Sequence, residues 1–407
     1  MPINTIDLFA GCGGLSEGFL KNSDFNLCAF VDWNKKCCDT LKHNLKNKWK
    51  IKDAENRVLF FDIQKTKELL FGWEENPKYP QHKYSGKGIS ELEKNHGKID
   101  LIIGGPPCQA YSIAGRVQDK NGMKDDYRNY LFESYIKIVD YFKPSAFVFE
   151  NVPGMLSAVP GNRPVTERII ESFKKHNYEI IQPMQKFAVF NAAEYGVPQN
   201  RKRVILLGLR KDKFGGKITQ ALQDFYLDVM PTLKNKKIRT VKDAINDLPK
   251  FHPTDDERSP YKPKSSSIPN HFPRFHNKRD IKIFRELAYD IESKENKYES
   301  AKELKKLYTK RTGKTSALHK YYVLKWNKPS TTIVSHLHKD GLRHIHPDFH
   351  QARSITVREA ARLQSFEDDY EFIGSQSDQY KMVGDAVPPL FSEAIAKGVS
   401  RVLSKYT

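Results

Sequence analysis

Cysteine is scarce in this 407-residue chain: there are five, an odd number, and four of them fall within the first 38 positions. None forms a C-x-x-C pair, so neither a disulfide framework nor a metal cluster of that kind is predicted. Cys12, Cys28, Cys37 and Cys38 read as small buried or half-buried residues; Cys108 is the exception. No apolar run approaches the roughly 20 residues that a membrane span needs. Met1 to Ala10 reads as a strand, not as a basic start with an apolar core, which predicts no secretory signal and a cytoplasmic protein. Hydrophobic residues at 39% and charged residues at 29% exclude global disorder. Acid is the charge in short supply. Lys and Arg number 68 against 49 Asp and Glu, a net charge of +19, which favours a polyanionic partner. Lys211–His350 holds 30 of the basic residues against 17 acidic ones, and nine of the 13 histidines. A solvated Lys-rich surface would give the same count, so charge alone does not decide.

What is present divides the chain. The first 210 residues alternate short apolar runs with helical stretches, the pattern of a mixed, mostly parallel sheet covered by helices. Strands are predicted at Asn4–Phe9, Phe25–Val31, Val58–Ile63, Asp100–Gly104, Ala146–Glu150, Glu179–Gln185 and Arg203–Leu209. Helices are predicted at Ser16–Asn22, Lys35–Asn44, Tyr130–Phe142 and Val165–His176. Residues 211–355 are Lys-rich and punctuated by Pro and Ser, with one helical stretch at Ile281–Thr309, and read as a smaller, irregular domain. From Thr356 the texture turns globular again. Residues 356–407 are expected to complete the first domain, with a last helix starting at Pro388-Pro389.

In an open α/β sheet the ligand lies beyond the carboxyl ends of the strands, so the turns there carry the chemistry. Phe9-Ala10-Gly11-Cys12-Gly13-Gly14-Leu15 is a glycine-rich turn between strand and helix, open to close ligand approach. Asp32 can accept from ribose hydroxyls, Trp33 can stack on an adenine, and Asp62-Ile63 can border a base edge. The turn lacks a Gly-Lys-Ser/Thr ending, so an adenosyl ligand without phosphates fits better than ATP or GTP. Taken alone, Trp33 reads better as a partly buried core aromatic. The next strand runs into Gly104-Gly105-Pro106-Pro107-Cys108-Gln109, a stiff backbone that suits a nucleophile needing aim. Glu150 leaves the same sheet edge, where burial can raise a carboxyl into the range useful for proton transfer. Gln199-Asn200-Arg201-Lys202-Arg203 precedes a later strand, and alternation there puts Arg201 and Arg203 on one face. His336, His338, His344, His346 and His350 read as DNA-contacting or surface residues rather than metal ligands.

In this order the blocks FAGCGG, PPCQ, ENV, QNRKR, RSITVREAARLQSF and GDAVPP resemble the DNA (cytosine-5) methyltransferases of bacterial restriction–modification systems, over Ile3–Leu209 and Trp326–Val399. The resemblance implies a Rossmann-like domain that binds S-adenosyl-L-methionine, a target-recognition domain at 211–355, and double-stranded DNA as partner. It implies that Phe9 to Leu15, Asp32, Trp33, Asp62, Ile63, Pro107, Leu131, Asp385 and Ala386 bind the cofactor. Cys108 is then the nucleophile that adds to C6 of a flipped-out cytosine. Glu150 contacts N3 and the exocyclic amine, and Arg203 contacts O2 with Arg201 beside it. Gln109 and Ser112 lie in a loop that closes on DNA, and Thr332 and Arg358 add DNA contacts. A monomer is expected, in the bacterial cytoplasm or nucleoid, with any cognate restriction endonuclease acting separately. The chain departs from the family at Asp385, where Asn is usual and an amide donor is lost. A tRNA cytosine-5 methyltransferase of the same fold and a non-catalytic DNA-binding regulator are the alternatives.

Overall fold

The computed structural model describes residues 2–75, 86–107, 131–256, 258, 260–264, 266–317 and 319–407. Eight strands form one sheet among the described residues: β1 (Ile3–Leu8), β2 (Phe25–Asp32), β3 (Val58–Phe60), β4 (Leu101–Gly104), β5 (Ala146–Asn151), β6 (Tyr178–Ile180), β7 (Val189–Asn191) and β8 (Lys202–Arg210). Their order is β3-β2-β1-β4-β5-β8-β6, with β7 also paired to β8. Strands β1 to β5 run parallel, and β8 is antiparallel to β5, β6 and β7. Strands β4 and β5 are buried along their whole length, as expected for a parallel sheet covered on both faces. The carboxyl ends of the parallel strands and the start of β8 therefore share one edge.

Proline accounts for one departure from the predicted elements. The strand expected at Glu179–Gln185 stops at Ile180; Pro183 cannot donate to a ladder and instead precedes a helical turn at Met184–Phe187. The chain re-enters the sheet as β7, which was not predicted. The third strand ends at Phe60, short of Ile63, because the Asp62 carboxylate accepts from Gln64 N at 3.0 Å and turns the chain.

The chain forms two compact units. The first comprises 1–195, 202–236 and 387–407, and the second 196–201 and 237–386. These boundaries differ from the expected 210 and 356. Residues 211–236 join the first unit because Tyr226 Oη bonds Ile205 O at 3.0 Å and Leu207 N at 2.8 Å. The C-terminal helix Pro389–Tyr406 also belongs there. It crosses the helix Gly14–Leu20 at Gly18, where an added Cβ would lie 2.1 Å from Glu393 N, and Ser392 Oγ donates to Leu15 O.

Residues 356–386 belong to the second unit. Its core gathers Ile283, Phe284, Leu287, Tyr321, Val323 and Ile345. The long helix expected at Ile281–Thr309 is two, Lys278–Glu292 and Ala301–Thr312. The Asp290 carboxylate accepts from Lys297 N and Tyr298 N at 2.8 and 3.0 Å, which turns the chain. Ser300 then caps the second helix at Glu303 N.

Candidate active site

The glycine-rich turn after β1 is held in a conformation that few side chains tolerate: φ is positive at Phe9 (60°), Gly11 (55°) and Gly13 (90°). The end of β2 fixes it. Asp32 accepts from Gly11 N and Asn34 N, both at 2.8 Å, and Asn34 caps the helix Lys35–Asn47. Trp33, next along, is 63% exposed, so the core-aromatic reading does not hold. Ala10, Leu15, Ile63 and Leu131 are buried, and Gly13 and Gly14 start the first helix. Beneath the turn Asp7 is fully buried on β1 and accepts from Ser16 Oγ. Burial, with Asp32 adding to it, pushes the Asp7 carboxyl up to about 8.

At the next strands the glycines have a steric cause. A Cβ on Gly104 would lie 2.3 Å from Leu8 O, and one on Gly105 would lie 2.7 Å from Glu150 Oε2. The loop after β4 thus passes directly over the Glu150 carboxylate. Arg203 Nε meets Glu150 Oε1 at 2.9 Å, and both side chains are nearly buried. Pairing of β5 with β8 sets this contact, since Glu150 lies opposite Ile205 and Asn151 opposite Val204. The Asn151 amide donates to Pro106 O at 3.3 Å, tying the loop to β5. Sequence reasoning missed Asn151 although it lies inside the ENV block. Pro107 is the last described residue of the loop; Cys108, Gln109 and Ser112 lie outside the described residues.

The remaining sequence candidates lie in the second unit. Arg201 precedes β8 and is buried, donating to Ile333 O at 2.7 Å and Gly384 O at 3.1 Å. Its guanidinium holds the backbone of the second unit. Thr332 Oγ1 donates to Asn200 O at 2.7 Å. Gln199 donates to Leu363 O and Gln364 Oε1 and accepts from Ile333 N. The blocks around Gln199, Thr332, Gln364 and Gly384 therefore interlock. Asp385 accepts from Ser335 and faces Lys381, Arg201 and His338; Ala386 is buried beside it. Arg358 is a correction. Expected at DNA, it is fully buried, and it donates to the backbone carbonyls of Pro269, Glu367 and Tyr370 at 2.7–2.9 Å. No group of three His, Cys, Asp or Glu fit for a metal occurs among the described residues. His344 and His346 are buried, which pushes their imidazoles down to about 4 and about 3.

The glycine turn with its carboxylate acceptor and the Glu150–Arg203 pair thus stand at the carboxyl edge of an α/β sheet, where such folds bind their ligands. The family of C-5 cytosine-specific DNA methylases matches residues 3–401. The chain belongs to that family and is a DNA (cytosine-5) methyltransferase. It is 37% identical to the type II methyltransferase M.Bpa9945I of Bacillus paralicheniformis, over 98% of this chain and 99% of that protein. It is 29% identical to the type II methyltransferase M1.HphI of Haemophilus parahaemolyticus, over 99% of this chain and 88% of that one. The crystal structure of the S. pombe Dnmt2 methyltransferase shares the fold with a TM-score of 0.55 at 15% identity, covering 100% of this chain and 99% of that one.

Proposed function

We propose that the chain methylates C5 of a cytosine flipped out of a short duplex DNA sequence, as the modification component of a restriction–modification system. The observation that carries this reading is the Glu150–Arg203 pair, set under the loop that leads through Pro107 to Cys108. The cofactor is S-adenosyl-L-methionine. The donor set fits it: carboxylate and aromatic groups at Asp32, Trp33 and Phe9, backbone amides, and no Lys or Arg from Phe9 to Ser16 to balance a phosphate. Space stands open over Gly11, where a Cβ would meet no atom within 4 Å. Phe9 to Leu15, Asp32, Trp33, Asp62, Ile63, Pro107 and Leu131 would hold it, and the resemblance to the family adds Asp385 and Ala386. When bound it supplies an electrophilic sulfonium methyl group to C5.

The residues do the rest. The Cys108 thiolate adds to C6, and the electron pair displaced toward N3 and O2 makes C5 nucleophilic. Glu150 holds a proton at N3, and Arg203 donates to O2. A base then takes the C5 proton, and the electron pair left on C5 re-forms the C5–C6 double bond as the Cys108 thiolate leaves. A cytosine inside the stack cannot reach these groups, which is why the base must leave it, at a few kcal/mol. The second unit is the target-recognition part, and Arg201 serves as its positioning residue. The protein works in the cytoplasm as a monomer, with any cognate endonuclease separate. Incubation with labelled cofactor and either duplex DNA or total tRNA tests the reading. Label should enter DNA, and bisulfite sequencing should place it at one cytosine in a fixed short context. Label in tRNA alone would overturn the proposal.

A further inference from the structure

In the second unit the segment Asn270–Asn277 has no regular structure, yet it is tied down at nearly every other residue. Asn270 exchanges side-chain bonds with Phe372 N and O at 2.9 and 3.0 Å, and its carbonyl takes Arg358 N at 3.0 Å. The His271 ring is buried between Thr356 Oγ1 and Pro249 O. Arg274 donates to Leu337 O at 2.8 Å and lies 4.3 Å from the centre of the Tyr380 ring. His276 is buried on Ser354 Oγ at 2.9 Å, and Asn277 caps the helix Lys278–Glu292. Between these anchors two phenyl rings stand in solvent: Phe272 is 42% exposed and Phe275 62% exposed. A segment fastened this firmly keeps two large apolar side chains out of the core. Rings presented in this way mark an interaction surface.

Charge identifies the partner. From Asn270 to Arg285 five basic residues, Arg274, Lys278, Arg279, Lys282 and Arg285, accompany a single acid, Asp280. Lys278, Arg279, Lys282 and Arg285 are exposed on the helix Lys278–Glu292, which directly follows the rings in sequence. Two exposed rings followed by a run of exposed cations fit a polyanion that offers flat apolar faces. We propose that Phe272 and Phe275 are a stacking wedge for duplex DNA, entering the base stack where it opens and stabilising the flipped-out state. Aromatic side chains stack on any base, and apolar side chains between base steps hold a duplex open. The inference rests on the reading that the chain methylates a flipped cytosine, and it adds the residues that keep the gap open.

The test compares wild type with Phe272→Ala, Phe275→Ala and the double variant on two duplexes. One is fully paired; in the other the target cytosine lies opposite an abasic site, so its release from the stack is already easy. Because both rings are exposed, the variants should keep the wild-type melting temperature and cofactor affinity. The double variant should lose at least tenfold in kcat/KM on the paired duplex and less than threefold on the abasic one. Phe275→Trp should retain activity on both. Equal losses on the two duplexes would make the rings ordinary contacts and overturn the wedge, as would wild-type kcat/KM on both. Wild type inactive on both duplexes would sink the methylation reading, and the wedge with it.

Discussion

Residues of the sequence blocks do opposite work in the two units. At the sheet edge of the first unit they turn outward or toward one another around a space: Trp33 is exposed, and Glu150 faces Arg203. In the second unit Gln199, Arg201, Arg353, Arg358 and Gln364 are buried, and they donate to backbone carbonyls and to other buried side chains. Arg353 is the extreme case. It meets Glu359 with two bonds of 2.6 Å, both side chains being almost wholly buried. Polar residues of the blocks therefore stand exposed or paired at the sheet edge of one unit and serve as architecture in the other.

The sharpest way to break this contrast is to substitute one residue of each kind. Glu150→Gln keeps the shape of the side chain and removes the acid. It should lower kcat roughly 10²–10⁴-fold with little change in the unfolding midpoint. A variant within tenfold of wild type would remove Glu150 from the chemistry. Arg353→Met should do the reverse. Stranding Glu359 as a buried, unpaired carboxylate should cost about 3–5 kcal/mol in urea unfolding, while the molecules that remain folded keep their turnover. Restoring balance with Arg353→Met and Glu359→Gln together should recover much of the loss. If the single variant unfolds like wild type, the pair is not a keystone.

Acid should act on the second unit next. Burial pushes His276 and His346 down to about 3 and His344 down to about 4, against about 6.5 in an unfolded chain. Between pH 6.5 and 4 the unfolded chain takes up protons that the folded chain refuses. Stability therefore falls as pH drops through that window and is unaffected above it. Glu359 adds a later loss. Burial would raise its carboxyl, but the doubly bonded Arg353 guanidinium outweighs this and holds it far below the usual range, so its contribution fades only below about pH 4.3. Melts of wild type from pH 7 to 4.5 should show the decline, and His276→Gln should make it shallower. A flat profile would contradict the buried neutral histidines. The smallest effect belongs to Trp33→Ala. It should weaken cofactor binding by about 0.5–1.5 kcal/mol and leave the melt unchanged, as calorimetry and scanning can check.

The contrast also explains what could be read without coordinates. Strands β1, β2, β4 and β5 were legible because each is an apolar run that stops at glycine or at an acid, and that stop is also where the site lies. Glu150 and Arg203 were legible as candidates from the blocks they lie in. The pairing between them was not, because it depends on β8 running antiparallel to β5. Arg358 was misassigned because an arginine reads the same in sequence whether it meets a phosphate or three carbonyls. The break at Ser293–Ser300 was missed because no proline or glycine marks it; the Asp290 carboxylate, which turns the chain there, reads in sequence like any other surface acid.

The central claim is that Cys108 bonds covalently to the target base. The most direct measurement is to incubate the protein with S-adenosyl-L-methionine and a duplex carrying 5-fluorocytosine at the methylated position. Fluorine cannot leave as a proton, so the reaction should stop at the adduct. The account predicts a cofactor-dependent complex that survives denaturation, whose cross-linked peptide maps to Cys108, and which Cys108→Ser abolishes. Normal turnover on the unmodified duplex with no trapped complex, or a cross-link at another residue, would contradict it.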